Sequence, residues 1–302
     1  MKTQLLTSIA LVALMFSSCS KVDNLKEETS DQVRFTAGMK KATINNGITS
    51  SWQTGDQIGI FMLNTGTADV YGGMANKLYV TSDGIAFAPQ PGHEIYYPVS
   101  DSKVDFIAYY PYRPSITALG DNYEIDLSTQ ANLAQNDLLW VKVNNGNNGY
   151  NKSTAGQVPL EFEHKLSKIA IVPNASTGMD DASLDWANMT VQVTGMNTAA
   201  DFDLSTGTLS NPSAVLAVAP FAKTAGALYE AIVLPATFAA AGDLQISFTV
   251  GTDVFVWKAA AGEQFEAGKQ YTISLDIEKT GVNLSGITIT DWATESRTGI
   301  AN

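Results

Sequence analysis

Apolar and polar residues alternate with a period of two through most of this 302-residue chain. Val33, Phe35, Ala37 and Met39 alternate with Arg34, Thr36, Gly38 and Lys40. Leu244, Ile246, Phe248 and Val250 alternate with Gln245, Ser247 and Thr249, and Tyr271, Ile273, Leu275 and Ile277 with Thr272, Ser274, Asp276 and Glu278. Successive side chains of a strand point to opposite faces, so this period specifies strands with one buried and one wet face. Further strand candidates are IGIFML, VDFIAYYPY, LLWVKV, KIAIVP, TVQVTGM, YEAIVLP, VFVWKA and GITITDW. Turn signals such as NNG, TSDG, PQPG and AAGD stand between them. Helical periodicity is scarce: SLDWANM and ATFAAAGD each suit a turn or so of helix. The chain therefore reads as all-β, with about fourteen strands, enough for two sandwiches of about seven each. The turn-rich VNNGNNGYNKSTAGQ leads up to the break, giving an N-terminal sandwich over 32–162 and a C-terminal one over 163–302.

A leader precedes the strands. Lys2 is basic, Leu5 to Phe16 is mostly apolar, and Ser17-Ser18 are small, which is the pattern of an export signal over residues 1–18. The run is shorter than the ~20 apolar residues a membrane-spanning helix needs. The single cysteine of the chain, Cys19, follows at once. A thiol with no partner, placed behind a leader, suits acylation: Cys19 is the expected lipid anchor, not a redox group. Residues 19–31 are charged and aperiodic and read as a solvated tether.

Apolar residues make up 45% and charged ones 16%, so the chain can bury a core. The formal charge is −12, and removing the leader with Lys2 makes the remainder more negative. Nucleic acid and anionic lipid surfaces attract basic faces, so the charge argues against both as partners.

Catalytic patterns are missing. The two histidines, His93 and His164, lie far apart, and no metal-ligand spacing, GxSxG, P-loop or GxGxxG follows a strand candidate. No metal, cofactor or enzymatic activity is expected. Glu161 and Glu163 share one face of a strand, and paired carboxylates for glycoside hydrolysis meet only in three dimensions. His164 reads as a strand-edge or turn residue. Tyr96, Tyr97, Tyr109, Tyr110 and Tyr112 suit either a sugar platform or core filling. The first use makes a non-polymerising, glycan-binding lipoprotein the alternative reading.

The order of segments is itself informative: a cysteine behind a leader, a tether, VRFTAGMKKAT, SWQTGDQIGIFM, FIAYYPY, LEFEHKLSKIAIVP, AIVLPATF and FEAGKQYTISLDIEKTGVNLSGITITDW. This order resembles the fimbrillin-like lipoproteins of Bacteroidales, the subunits of type V pili, over essentially the whole chain. The resemblance implies two tandem transthyretin-like Greek-key β-sandwich domains and export to the outer membrane. It also implies a structural, stalk or tip role in surface fimbriae and adhesion to host or bacterial surface glycans or proteins. In polymerising members a protease cuts behind the first strand, and a strand of the next subunit takes its place, joining pilin subunits head-to-tail. Carried onto this chain, the exchangeable strand holds Val33, Phe35, Ala37 and Met39, and the processing position is Lys40 or Lys41. The donor stretch runs from Leu284 to Trp292, with Ile287 and Ile289 as its apolar side chains.

Overall fold

The period-two segments fold as strands in the computed structural model, which describes residues 31–39, 51–154, 156–176, 178–179 and 185–292. The N-terminal half holds β1 (Phe35–Met39), β2 (Gln57–Asn64), β3 (Lys77–Thr81), β4 (Phe87–Pro89), β5 (Val104–Tyr110), β6 (Asn122–Asp126), β7 (Leu139–Val143) and β8 (Val158–His164). Next come β9 (Ser167–Ala175), β10 (Thr190–Thr194), β11 (Asn197–Asp203), β12 (Thr208–Val215), β13 (Phe221–Thr224) and β14 (Leu228–Val233). The chain continues with β15 (Ala236–Phe238), β16 (Gln245–Val250), β17 (Asp253–Lys258), β18 (Glu263–Phe265), β19 (Lys269–Glu278) and β20 (Gly281–Asp291). Among the described residues, helix is confined to Leu133–Asn136 and a 3-10 turn at Trp186–Asn188. The latter falls in SLDWANM, whereas ATFAAAGD opens as strand β15, which pairs with β18.

The all-β expectation holds, in several sheets. A seven-stranded sheet runs β1-β8-β7-β5-β2-β3-β4, and only its β1–β8 pair is parallel. The far flank of β1 meets Ala86, next to β4, through the Thr36–Ala86 bridge, so the sheet curls until its ends meet across β1. Its concave side encloses one core, which includes Phe35, Ile60, Tyr79, Phe106 and Phe162. The five-stranded sheet β13-β14-β9-β19-β20 faces the three-stranded sheet β10-β16-β17 over a second core, which includes Ile169, Ile246, Phe248, Tyr271 and Ile273.

A third cluster joins the halves. Phe61, Tyr109, Tyr123 and Leu138 pack with Phe202, Ile232 and Trp292. Backbone pairing crosses the same boundary: β6 pairs with β11, from Asp126 opposite Ala199 to Asn122 opposite Asp203. This third cluster explains the strands that do not alternate. All seven residues of β5 are buried, with Phe106 and Ala108 facing the first core and Ile107 and Tyr109 the third.

Candidate functional site

Strand β1 is held on both flanks. Toward β8 it lies in continuous parallel register, from Phe35 opposite Val158 to Met39 opposite Phe162, and Val158 N donates to Arg34 O at 2.8 Å. On the other flank Val33 N donates to Ile95 O and Tyr97 N to Asp31 O, each at 2.8 Å. From above, Trp52 Nε1 donates to Ala37 O at 3.2 Å. The first of the described strands thus ends its sheet in pairing order, yet its second flank is also engaged, at Asp31, at Val33 and at the Thr36–Ala86 bridge, which leaves fewer of its backbone groups to solvent than an open edge would.

The side chains follow the alternation read from the sequence. Val33, Phe35 and Met39 are buried, Ala37 is partly so, and Arg34 and Thr36 are exposed. The Phe35 ring lies edge-on to Tyr79 at 5.4 Å and to Phe106 at 5.1 Å. Trp52 makes edge contacts with Phe87, Tyr110 and Phe162 between 5.0 and 5.4 Å. A fully buried side chain of this size contributes roughly 1.5–3 kcal/mol, so the three buried ones hold β1 by several kcal/mol before backbone bonding is counted. Lys40, Lys41 and Cys19 lie outside the described residues.

The C-terminal strand β20 is the last of its sheet and pairs on one side with β19. Register places Val282, Leu284, Ile287 and Ile289 opposite Ile277, Leu275, Ile273 and Tyr271, so all four share the apolar face. The register shifts there because Ser285 is an extra residue on β20, between Leu284 and Gly286. The overhang is considerable: Leu284 is 45% and Ile289 58% exposed.

Trp292 fixes the end of this strand. Its backbone N donates to Gly268 O at 2.8 Å, and its ring stacks on His164 at 4.1 Å and 8°. His164, the last residue of β8, is buried and shares a 2.8 Å hydrogen bond through Nδ1 with Asp137 Oδ1. Met39, Trp52, Asp137, Lys168 and Trp292 border one cavity of ≈ 230 Å³, so the ends of β1 and β20 converge there. Lys168, almost fully buried, reaches Glu230 Oε1 at 3.0 Å, and Lys223 meets the other Glu230 oxygen at 3.4 Å.

The remaining candidates are dispersed. His93 Nδ1 accepts from Leu78 N at 3.0 Å, while His164 bonds Asp137, so the two histidines have separate structural partners. Glu161 and Glu163 are exposed on the outer face of β8. Three of the five tyrosines face inward: Tyr97, Tyr109 and Tyr110 are buried. Tyr109 donates to Asn76 Oδ1 at 2.7 Å and Tyr110 to Asp56 Oδ1 at 3.1 Å. Burial pushes the hydroxyls of both well above the usual tyrosine range. They are core residues, and of the five only Tyr96 presents a largely open ring. Among the described residues, no group of three or more His, Cys, Asp or Glu side chains is placed to hold a metal ion. The His164–Trp292 stack has no signature in the sequence, since its partners stand 128 positions apart.

Two β-cores, with a leading strand set into the first, define the class as an all-β protein. The chain belongs to the fimbrillin-like family, whose model matches residues 41–292, from just behind β1 to Trp292. A relative at 32% identity, the "Putative fimbrium subunit Fim1C" of Bacteroides uniformis, aligns over 97% of this chain and 96% of its own length. Among solved structures, a "putative cell adhesion protein" of Bacteroides uniformis superposes with a TM-score of 0.71 at 32% identity, covering 87% of this chain and 98% of the other. A fimbrial protein of Bacteroides vulgatus shares the fold, with a TM-score of 0.53 at 13% identity, over 86% and 99% of the two chains.

Proposed function

We propose that this protein is a structural subunit of a surface fimbrium, without enzymatic activity, which joins other subunits head-to-tail by strand exchange. The observation that carries the reading is the seat of β1. The strand closes the N-terminal sheet, is bonded along both flanks and buries three large side chains, yet is the first strand in the described chain. Cutting the chain behind it at Lys40 or Lys41 separates it from the body without breaking any other described strand. The vacancy would expose two rows of backbone groups and an apolar trough, which a strand of another subunit can fill. Donor and acceptor then lie on different parts of the subunit, and such a contact propagates into a fibre.

On this reading β20, with Ile287 and Ile289, is the donor for a neighbour, since it stands on an open sheet edge with its apolar face partly uncovered. The break read at 162/163 moves to just behind β8, after His164, residues 19–30 act as tether because Asp31 is already bonded to Tyr97, and Cys19 carries the lipid that holds the protein at the outer membrane. Adhesion to surface glycans or proteins would come from the assembled fibre. Limited trypsin digestion of the purified chain tests the core of the proposal. It predicts a stable product beginning at Lys41 or Ala42, from which an excess of a peptide of residues 31–40 displaces the cut-off leading strand. A cut chain whose leading strand is never displaced, however much peptide is added, would remove the basis for strand exchange.

A further inference from the structure

The groove that β1 occupies has a definite shape, and the chain's own C-terminal strand does not match it. Strand β1 is unbulged: five consecutive residues pair with five consecutive residues of β8. In such a strand every second side chain enters the core, here at positions 33, 35, 37 and 39. The second entrant is aromatic, and Phe35 lies between the edges of Tyr79 and Phe106. In β20 the four apolar residues share a face only because Ser285 is bulged out. Straightened to follow β8, β20 would split them. One phase turns Val282, Leu284, Gly286 and Thr288 inward, and the other turns Asn283, Ser285, Ile287 and Ile289 inward. Either phase places two large apolar side chains among its four entrants instead of three, brings two small or polar residues into the core, and puts no ring at the second position, since Trp292 follows Thr288 by two further steps of the alternation.

Building on the strand-exchange reading, we infer that this groove selects against the chain's own C-terminal strand and accepts a strand from a different kind of subunit. That strand is unbulged, apolar at four alternate positions, and aromatic at the second of them. The subunit is then a heterotypic link and not the repeating unit of a homopolymer. Its acceptor specificity resides in Tyr79 and Phe106.

The experiment uses the full chain with a specific protease site placed within residues 42–48. Cutting after folding leaves β1 seated by noncovalent contacts alone, and labelled peptides then compete for its place. The peptide of residues 31–40 is expected to exchange in, its Phe35→Leu version about tenfold more weakly, and the peptide of residues 281–292 at least a hundredfold more weakly. Deleting Ser285 from the last peptide brings Val282, Leu284, Ile287 and Ile289 into phase, and should recover at least tenfold. If peptide 281–292 competes as well as peptide 31–40, or gains nothing from the deletion, the inference is overturned while strand exchange stands. If peptide 31–40 itself never exchanges, the strand-exchange reading falls and takes this inference with it.

Discussion

Replacing Phe35 with alanine probes β1 where the groove grips it hardest. The side chain is 6% exposed and its ring has two edge-on aromatic neighbours. Truncating a buried phenylalanine costs about 3–5 kcal/mol, of which each aromatic pair supplies roughly 0.5–1.5 kcal/mol beyond area alone. A loss near 4 kcal/mol corresponds to roughly a thousandfold change in an opening equilibrium. Hydrogen exchange on the intact chain reads this change segment by segment. The amides that depend on β1 include Val158 N, bonded to Arg34 O, and Val33 N, bonded to Ile95 O. The expectation is exchange about three powers of ten faster in the β1 segment and at the start of β8, with β16 and β19 changed by less than about threefold. Two results would refute the reasoning. One is a change of less than about tenfold at β1 and β8. The other is equal acceleration in both halves, since β1 would then leave only when everything unfolds.

Three further expectations follow from the joint between the halves and from buried tyrosines. Trp292→Ala should lower stability to urea by about 3–5 kcal/mol, and Trp292→Phe by clearly less, because a ring still stacks on His164; a loss under about 1 kcal/mol for the alanine variant contradicts the anchoring role. Lys168→Met leaves Glu230 buried with one cation fewer and should cost about 3–5 kcal/mol. The double variant Lys168→Met, Glu230→Leu should be less damaged than the single one, and strictly additive losses in denaturant unfolding would count against the pair. Burial raises the hydroxyls of Tyr97 and Tyr123 to about 12. The folded state then holds those protons more tightly than the unfolded chain, so stability is intact below the ordinary tyrosine value of about 10 and declines as pH rises from there toward 12. Tyrosinate absorbance showing every tyrosine ionised near pH 10, with the fold intact, would contradict this.

How much could be read in the residues depends on how many faces of a strand are covered. β16 and β19 were legible because one face is buried and the other partly wet, so their alternation survives in the composition. β2 and β5 are covered on both faces, by the first and third cores, and their apolar runs carry no phase. Pairings between distant segments leave no local trace. Neither β6 against β11, nor the parallel pairs β1–β8 and β9–β19, follow from periodicity. The leading strand was legible as far as Val33, Phe35, Ala37 and Met39, since those side chains had to find a core. What lies across from them was not, because Tyr79, Phe106 and Trp52 come from three separate segments. The Ser285 bulge was equally hidden: spacing alone gives Ile287 and Ile289 as alternating, but not that Val282 and Leu284 join their face through an irregularity.

The central claim is that the leading strand is exchanged for one from another subunit, and the fate of that strand tests it most directly. Full chain cut between β1 and Ser51 is mixed with its fimbrial partners, the assembled particles are isolated, and the segment containing residues 31–39 is quantified in them by mass spectrometry. The account predicts that this segment is released, with one copy lost for every acceptor groove that has been filled. Particles that retain it in full stoichiometry would mean the subunits join through some other surface.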